Sequence, residues 1–253
     1  MAPLPAFDRP IAHRGLHDRS RGVIENSRSA FEAAIAGGFA IECDLQLSRD
    51  GVPMVFHDDD LERLTGIKGP VGSLAAAQLA DTPLLDSANR EAPQRLSEML
   101  AQVAGRVLLQ IELKHQPTPE MRETLASEVA RAIAGYAGPV ALESFDPHLL
   151  TALRRRGYAG ALGIITYDYR DTSETAQLST WERFGLRHLL HWPQTRFSFI
   201  SCYHGALQLP AVRLFRSLGM PVTAWTIKTP EERQAIAGRA DQIVFEGFDP
   251  SRE

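Results

Sequence analysis

The sequence predicts an α/β fold of the (β/α)8 barrel type, in one domain over residues 1–253. Three observations carry that expectation. Eight short apolar runs alternate with amphipathic stretches from end to end. No low-complexity segment, Gly/Ser-rich linker or shift in composition divides the chain. Its length of 253 residues suits one large barrel. Strands that alternate with helices build a parallel sheet, and a right-handed series of βα units closes on itself.

Taken in order, the first run is 10–14, ending in His13-Arg14-Gly15. A helix follows over 27–36. Asn26 or Ser27 caps its start, Ala30, Phe31, Ala34 and Ile35 make its apolar stripe, and Gly37-Gly38 ends it. The second run is 39–45. The stretch 52–95 then departs from the repeat, with an extra strand over 52–57 and a turn-rich segment holding Gly66, Gly69, Pro70, Gly72 and Pro83. An elaborated loop beyond the C-terminal end of a barrel strand is expected to cover the active-site mouth. The remaining strands are 107–113, 140–144, 161–165, 199–202, 222–227 and 242–245, with helical patterns such as 119–136, 147–156 and 230–237 between them.

Composition narrows the function classes. The chain is 44% hydrophobic and 23% charged with a formal charge of −4, too apolar for a disordered protein and too acidic for a non-specific nucleic-acid binder. The two cysteines, Cys43 and Cys202, build no disulfide framework and read as small buried hydrophobes of a reducing compartment. No apolar run approaches the roughly 20 residues that span a bilayer. The first ten residues lack a signal-peptide core, so a cytoplasmic location is expected. Arg154-Arg155-Arg156 reads as a solvated helix face rather than an anion-binding patch. No helix combines a basic face with exposed aromatics, so no stable membrane association is expected.

Barrel strands are covered on both faces and normally read as continuous apolar runs. Two here break that rule on one face only. The two-residue period sends Ile41, Cys43 and Leu45 to the helix layer, and Glu42 and Asp44 inward. In the next strand Leu109, Ile111 and Leu113 face out, while Glu112 and Lys114 end the inward set. Unpaired buried charge is costly, so such groups are paired, metal-bound or at an open mouth. A structural ion pair accounts for any one of them alone. Three carboxylates together at strand C-termini offer oxygen ligands only, which suit a hard cation, Mg²⁺ or Ca²⁺, better than zinc. His13 and His57 also end strand-like runs, and two such histidines resemble an acid and base pair. With a divalent cation, Arg14 and Lys114 would leave this set one positive charge in excess, as a monoanionic phosphodiester would require.

Together these motifs resemble the glycerophosphodiester phosphodiesterase family over nearly the whole chain. The pieces are His13-Arg14-Gly15, Glu25-Asn26-Ser27, Glu42-Cys43-Asp44, the stretch from His57-Asp58 to Thr65-Gly66, Ile111-Glu112-Leu113-Lys114, Ser144-Phe145 and Ala224-Trp225-Thr226. The resemblance implies a TIM-type barrel that cleaves glycerophosphodiesters to glycerol 3-phosphate and an alcohol with a divalent metal. It implies Glu42, Asp44 and Glu112 as metal ligands with Glu25 nearby, and His13 and His57 as the acid–base pair. Arg14 and Lys114 would contact phosphate, and Trp225 would line the pocket or pack the barrel. Ser27 stands where the family has threonine. The family often ends its last strand with a Thr-Asp pair, where this chain has Ile243-Val244-Phe245-Glu246-Gly247-Phe248. The expected partner is a small glycerophosphodiester. The alternatives are a lysophospholipase D-like or sphingomyelinase D-like enzyme using the same site, a sugar-isomerase type of metal chemistry on the same barrel, or an inactive phosphate-binding barrel. The last two fit poorly with a complete set of both histidines, three carboxylates, Arg14 and Lys114.

Overall fold

The computed structural model describes residues 4–170 and 177–251. In chain order these hold β1 (Ile11–Ala12), α1 (Arg28–Ala36), β2 (Ala40–Leu47), β3 (Pro53–Val55), α2 (Glu62–Thr65), α3 (Ala76–Ala80), α4 (Leu96–Val103) and β4 (Leu109–Leu113). Then come α5 (Pro119–Ala134), β5 (Val140–Ser144), α6 (Pro147–Arg155), β6 (Ala161–Thr166), α7 (Thr180–Arg187), α8 (Trp192–Thr195) and β7 (Phe199–Tyr203). The chain closes with α9 (Pro210–Ser217), β8 (Val222–Ile227), α10 (Pro230–Ala235) and β9 (Gln242–Phe245).

Eight strands pair in parallel in the order β1-β2-β4-β5-β6-β7-β8-β9, and β9 returns to β1. The expected barrel is therefore present and closed. The ninth strand, β3, pairs antiparallel with β2 through Leu45 and Val55. It carries the segment up to Arg95, which packs a small apolar cluster of its own around Met54, Phe56, Leu61, Leu64 and Leu79. The expected first strand is shorter than its apolar run. It ends at Ala12 because Arg14 takes a left-handed conformation, φ +53°, and turns the chain across the mouth.

The strand residues with outward parity, among them Ile41, Cys43, Leu45, Ile111 and Leu113, lie in the main core against the helices. Inside the barrel the floor is apolar, built from Ile11, Leu108, Phe199 and Val244, with the Phe7 ring 5.1 Å from that of Phe199. Phe199 also fills the space where residue 163 has no side chain. A Cβ on Gly163 would lie 2.2 Å from its ring. Above this floor the inward face turns polar: Gln110 Nε2 donates to Glu143 Oε1 at 3.0 Å. Burial pushes the Glu143 carboxyl up to about 8, against the hydrogen bond from Gln110 and with Glu112 and Asp44 adding to it.

Two surface features complete the frame. Arg155 and Arg156 pair with Glu123 on α5, while Arg154 donates to the carbonyls of Tyr158 and Gly160. The arginine run thus ties helix to helix and loop. On α7, Trp181 is 82% exposed and Phe184 48% exposed, beside Arg183. The sequence pattern does not single out this helix, because an amphipathic period does not say which of its apolar residues the barrel covers. No helix among the described residues is long and apolar enough to cross a membrane.

Candidate active site

The charged residues meet at the C-terminal ends of β1, β2 and β4, where barrel loops gather. His13 follows β1 with the inward parity of Ile11. Glu246 follows β9 with the inward parity of Val244, and β9 lies beside β1. His13 Nδ1–H donates to Glu246 Oε2 at 2.8 Å. That hydrogen bond lowers Glu246 to about 2 against the opposing effect of burial, so its carboxylate only accepts. His13 Nε2 then lies 4.0 Å from Glu42 Oε2. The left-handed turn at Arg14 aims its backbone N–H at Glu42 Oε2, 2.9 Å away. Gly15 must be glycine: its φ is +79° and a Cβ would lie 2.9 Å from the backbone of Ala30 on α1.

The next loop is equally specific. Asn26 adopts φ +56°, a conformation asparagine tolerates, and its Nδ2 donates to Asp44 Oδ2 at 2.8 Å. Ser27 caps α1 by accepting from Ala30 N, as expected. Glu25 points the other way. Its carboxylate accepts from Arg14 Nη1 at 2.7 Å and from Arg63 Nη1 and Nη2 at 2.7 and 2.8 Å.

Glu42, Asp44 and Glu112 each offer an oxygen within 4.8 Å of the others, all buried. Lys114 Nζ sits 3.0 Å from Glu112 Oε1 and 3.4 Å from Asp44 Oδ1. Arg14 Nε is 3.5 Å from Asp44 Oδ2. Burial and the neighbouring carboxylates push Glu42 well above the usual range. Burial likewise raises Glu112 to about 7, although Lys114 opposes it. Asp44 goes the other way: against burial, Lys114, His57 and Arg14 hold it below the carboxylate range. Three acids and two cations in one buried cluster are short of positive charge.

The β3 segment brings His57 and Asp58. His57 Nδ1–H donates to Asp58 Oδ1 at 2.7 Å. Arg63 grips Asp58 through Nε at 2.6 Å and Nη2 at 2.8 Å, bringing its carboxyl to about 2 against burial. Burial lowers His57, with Asp44 opposing. Across the mouth the strand ends are aromatic. Trp225, half-buried, has its ring centroid 5.7 Å from that of Phe145 and 5.5 Å from that of Tyr203.

The structure therefore gathers His13, Arg14, Glu42, Asp44, His57, Glu112 and Lys114 into one charged cluster, and places Trp225 on the opposite wall. Glu25 lies behind Arg14 rather than in the carboxylate cluster. Sequence reasoning gives Asn26, Asp58, Arg63 and Glu246 no role in the site. The alternation of β9 does carry a signal for Glu246, since it continues the inward parity of Val244.

The fold is thus a closed β/α barrel with a charged mouth. Residues 13–245 match the glycerophosphoryl diester phosphodiesterase family, and the chain belongs to that family. A Mycobacterium tuberculosis protein called probable glycerophosphodiester phosphodiesterase 2 is 27% identical over 263 residues, covering 96% of this chain and 89% of that one. A Bacillus altitudinis glycerophosphodiester phosphodiesterase is 34% identical over 112 residues, 42% of this chain and 44% of its own. Some local matches are shorter still, covering about a quarter of the curated relative, as with the 26% of a Bacillus subtilis protein. Among solved structures, an Oleispira antarctica phosphodiesterase in complex with sn-glycerol-3-phosphate superposes with a TM-score of 0.77 at 21% identity, covering 97% of this chain and 94% of that one. At that identity the likeness is one of fold.

Proposed function

We propose that the protein hydrolyses small glycerophosphodiesters to glycerol 3-phosphate and an alcohol. The observation that carries this reading is one mouth holding two histidines, each with Nδ1 tied to a carboxylate, around a buried acidic cluster flanked by Arg14 and Lys114. The cluster's chemistry fits a hard divalent cation, Mg²⁺ or Ca²⁺, because it offers three close carboxylate oxygens and lacks positive charge. Glu42, Asp44 and Glu112 would hold it. When bound, the cation supplies Lewis-acid stabilisation of phosphoryl charge and acidifies a neighbouring hydroxyl. Glu25 has no part in that set, since Arg14 and Arg63 occupy its carboxylate.

The side chains then divide the work. Arg14 and Lys114 bind the phosphoryl oxygens. One histidine removes the proton from the glycerol hydroxyl next to the ester. That oxygen attacks phosphorus, the bond to the alcohol oxygen breaks, and the other histidine protonates the departing oxygen. The resulting cyclic phosphate is opened by water with the two roles exchanged, so one water is consumed overall. Trp225, Phe145 and Tyr203 offer an apolar wall for the carbon skeleton. Action in the cytoplasm belongs to the same proposal and is supported by two buried free cysteines.

A second reading, cleavage of a lysolipid by the same site, is favoured by one observation. Trp181 and Phe184 are exposed near the start of α7, the end that a helix following a barrel strand directs to the mouth. One panel tests both. Purified protein should cleave glycerophosphocholine, lose that activity in EDTA and regain it with Mg²⁺ or Ca²⁺. His13→Ala and His57→Ala should each lower kcat by roughly 10²–10⁴. Full activity in chelator would remove the cation. A kcat/KM preference for lysophosphatidylcholine of about tenfold or more would install the lysolipid reading.

A further inference from the structure

We propose that Glu246 is the positioning residue for His13, holding Nδ1–H so that Nε2 is the reactive nitrogen turned toward the acidic cluster. This rests on the hydrolytic reading above. The geometry is direct: Oε2 accepts from Nδ1 at 2.8 Å, and the opposite ring nitrogen is 4.0 Å from Glu42. An imidazole held by one nitrogen is fixed in both tautomer and orientation, and such partners govern the reactivity of the other nitrogen.

The site itself supplies the comparison. Asp58 makes the same contact with His57 at 2.7 Å, so the two histidines are mounted alike, each by its Nδ1 on a carboxylate. The mounts differ in stiffness. Arg63 holds Asp58 through two nitrogens, whereas Glu246 faces Lys228 Nζ at the longer distance of 3.8 Å. The neighbour Phe245 offers no substitute. It is buried and lies edge-on to Phe39 at 5.0 Å, on the helix side of the sheet. Glu246 is thus the group by which the last strand reaches the site.

A purely structural role competes with this. His13 N also donates to Phe245 O at 3.0 Å, part of the seam that closes the barrel, and a structural Glu246 would do no more than reinforce that seam. Two measurements separate these roles. Cation-free protein labelled with ¹⁵N-histidine is observed at about pH 8, where a free imidazole is neutral. Wild type should show His13 as the Nδ1–H tautomer, Glu246→Asp should keep it, and Glu246→Ala should lose it. With glycerophosphocholine and Mg²⁺, Glu246→Ala should lower kcat by about 10–100-fold while KM stays within about twofold, and Glu246→Asp should restore part of the loss. An unchanged tautomer in Glu246→Ala overturns the proposal, as does a kcat for that variant within about twofold of wild type. If wild type cleaves no diester, the hydrolytic reading fails, and the tautomer measurement still decides whether Glu246 sets the ring.

Discussion

Arg63 holds Glu25 with both terminal nitrogens and Asp58 with Nε and Nη2, so one guanidinium supports the group behind Arg14 and the group behind His57. The consequence is visible in acid. Burial alone would raise Glu25, but hydrogen bonds from Arg63 and the charge of Arg14 bring it to about 2. A carboxyl lowered in the folded state stabilises fully above its ordinary value, 4.5, and that contribution is lost as pH falls toward 2. Glu25→Gln, which keeps the shape and removes the charge, should therefore cost about 1–3 kcal/mol at neutral pH. The gap to wild type should narrow steadily below about pH 4.5. Urea unfolding at several pH values measures it, and a gap independent of pH would show that the ion pair contributes nothing.

The β1–α1 connection shows how an element is aimed by its backbone. Gly15 lets α1 press against the turn that carries His13 and Arg14. Gly15→Ala forces an L side chain to φ +79° and drives its Cβ to 2.9 Å from Ala30. Backbone strain of this kind costs about 1–3 kcal/mol, or a Tm drop of about 2–12 °C at this size. Calorimetry checks this, and an unchanged Tm would mean that the turn yields freely. Elements of this sort are partly legible in the sequence. The inward parity of Glu42, Asp44 and Glu112 stands out because a doubly covered strand tolerates such charges only when they are paired, metal-bound or at an open mouth. The pairing of His13 with Glu246 does not, because it joins residues 233 apart and exists only once β9 lies beside β1. Nor does the double grip of Arg63, which sits on a single turn of helix whose docking no periodicity specifies. The exposed Trp181 and Phe184 escape for a related reason: burial depends on neighbours, not on the pattern of one helix.

At the scale of the whole molecule, the barrel mouth is charged along β1, β2 and β4 and aromatic along β5, β7 and β8, over the buried Glu143 and an apolar floor. A cation entering the charged side would bind the folded state and not the unfolded one. At about 100 times its Kd it should add about 2.7 kcal/mol of stability and raise Tm by about 5–10 °C. Glu42→Ala should fold and lose that response, and equal shifts in both proteins would place the ion elsewhere. The floor has a different consequence, for how such a barrel changes over generations. Phe199 occupies the volume that any side chain at position 163 would claim, since a Cβ there would meet its ring at 2.2 Å. The two positions are thus bound to a route: a lineage can acquire a side chain at 163 only after 199 has shrunk. The reverse order passes through an overpacked floor, so a smaller residue at 199 is the intermediate that change in either direction must cross.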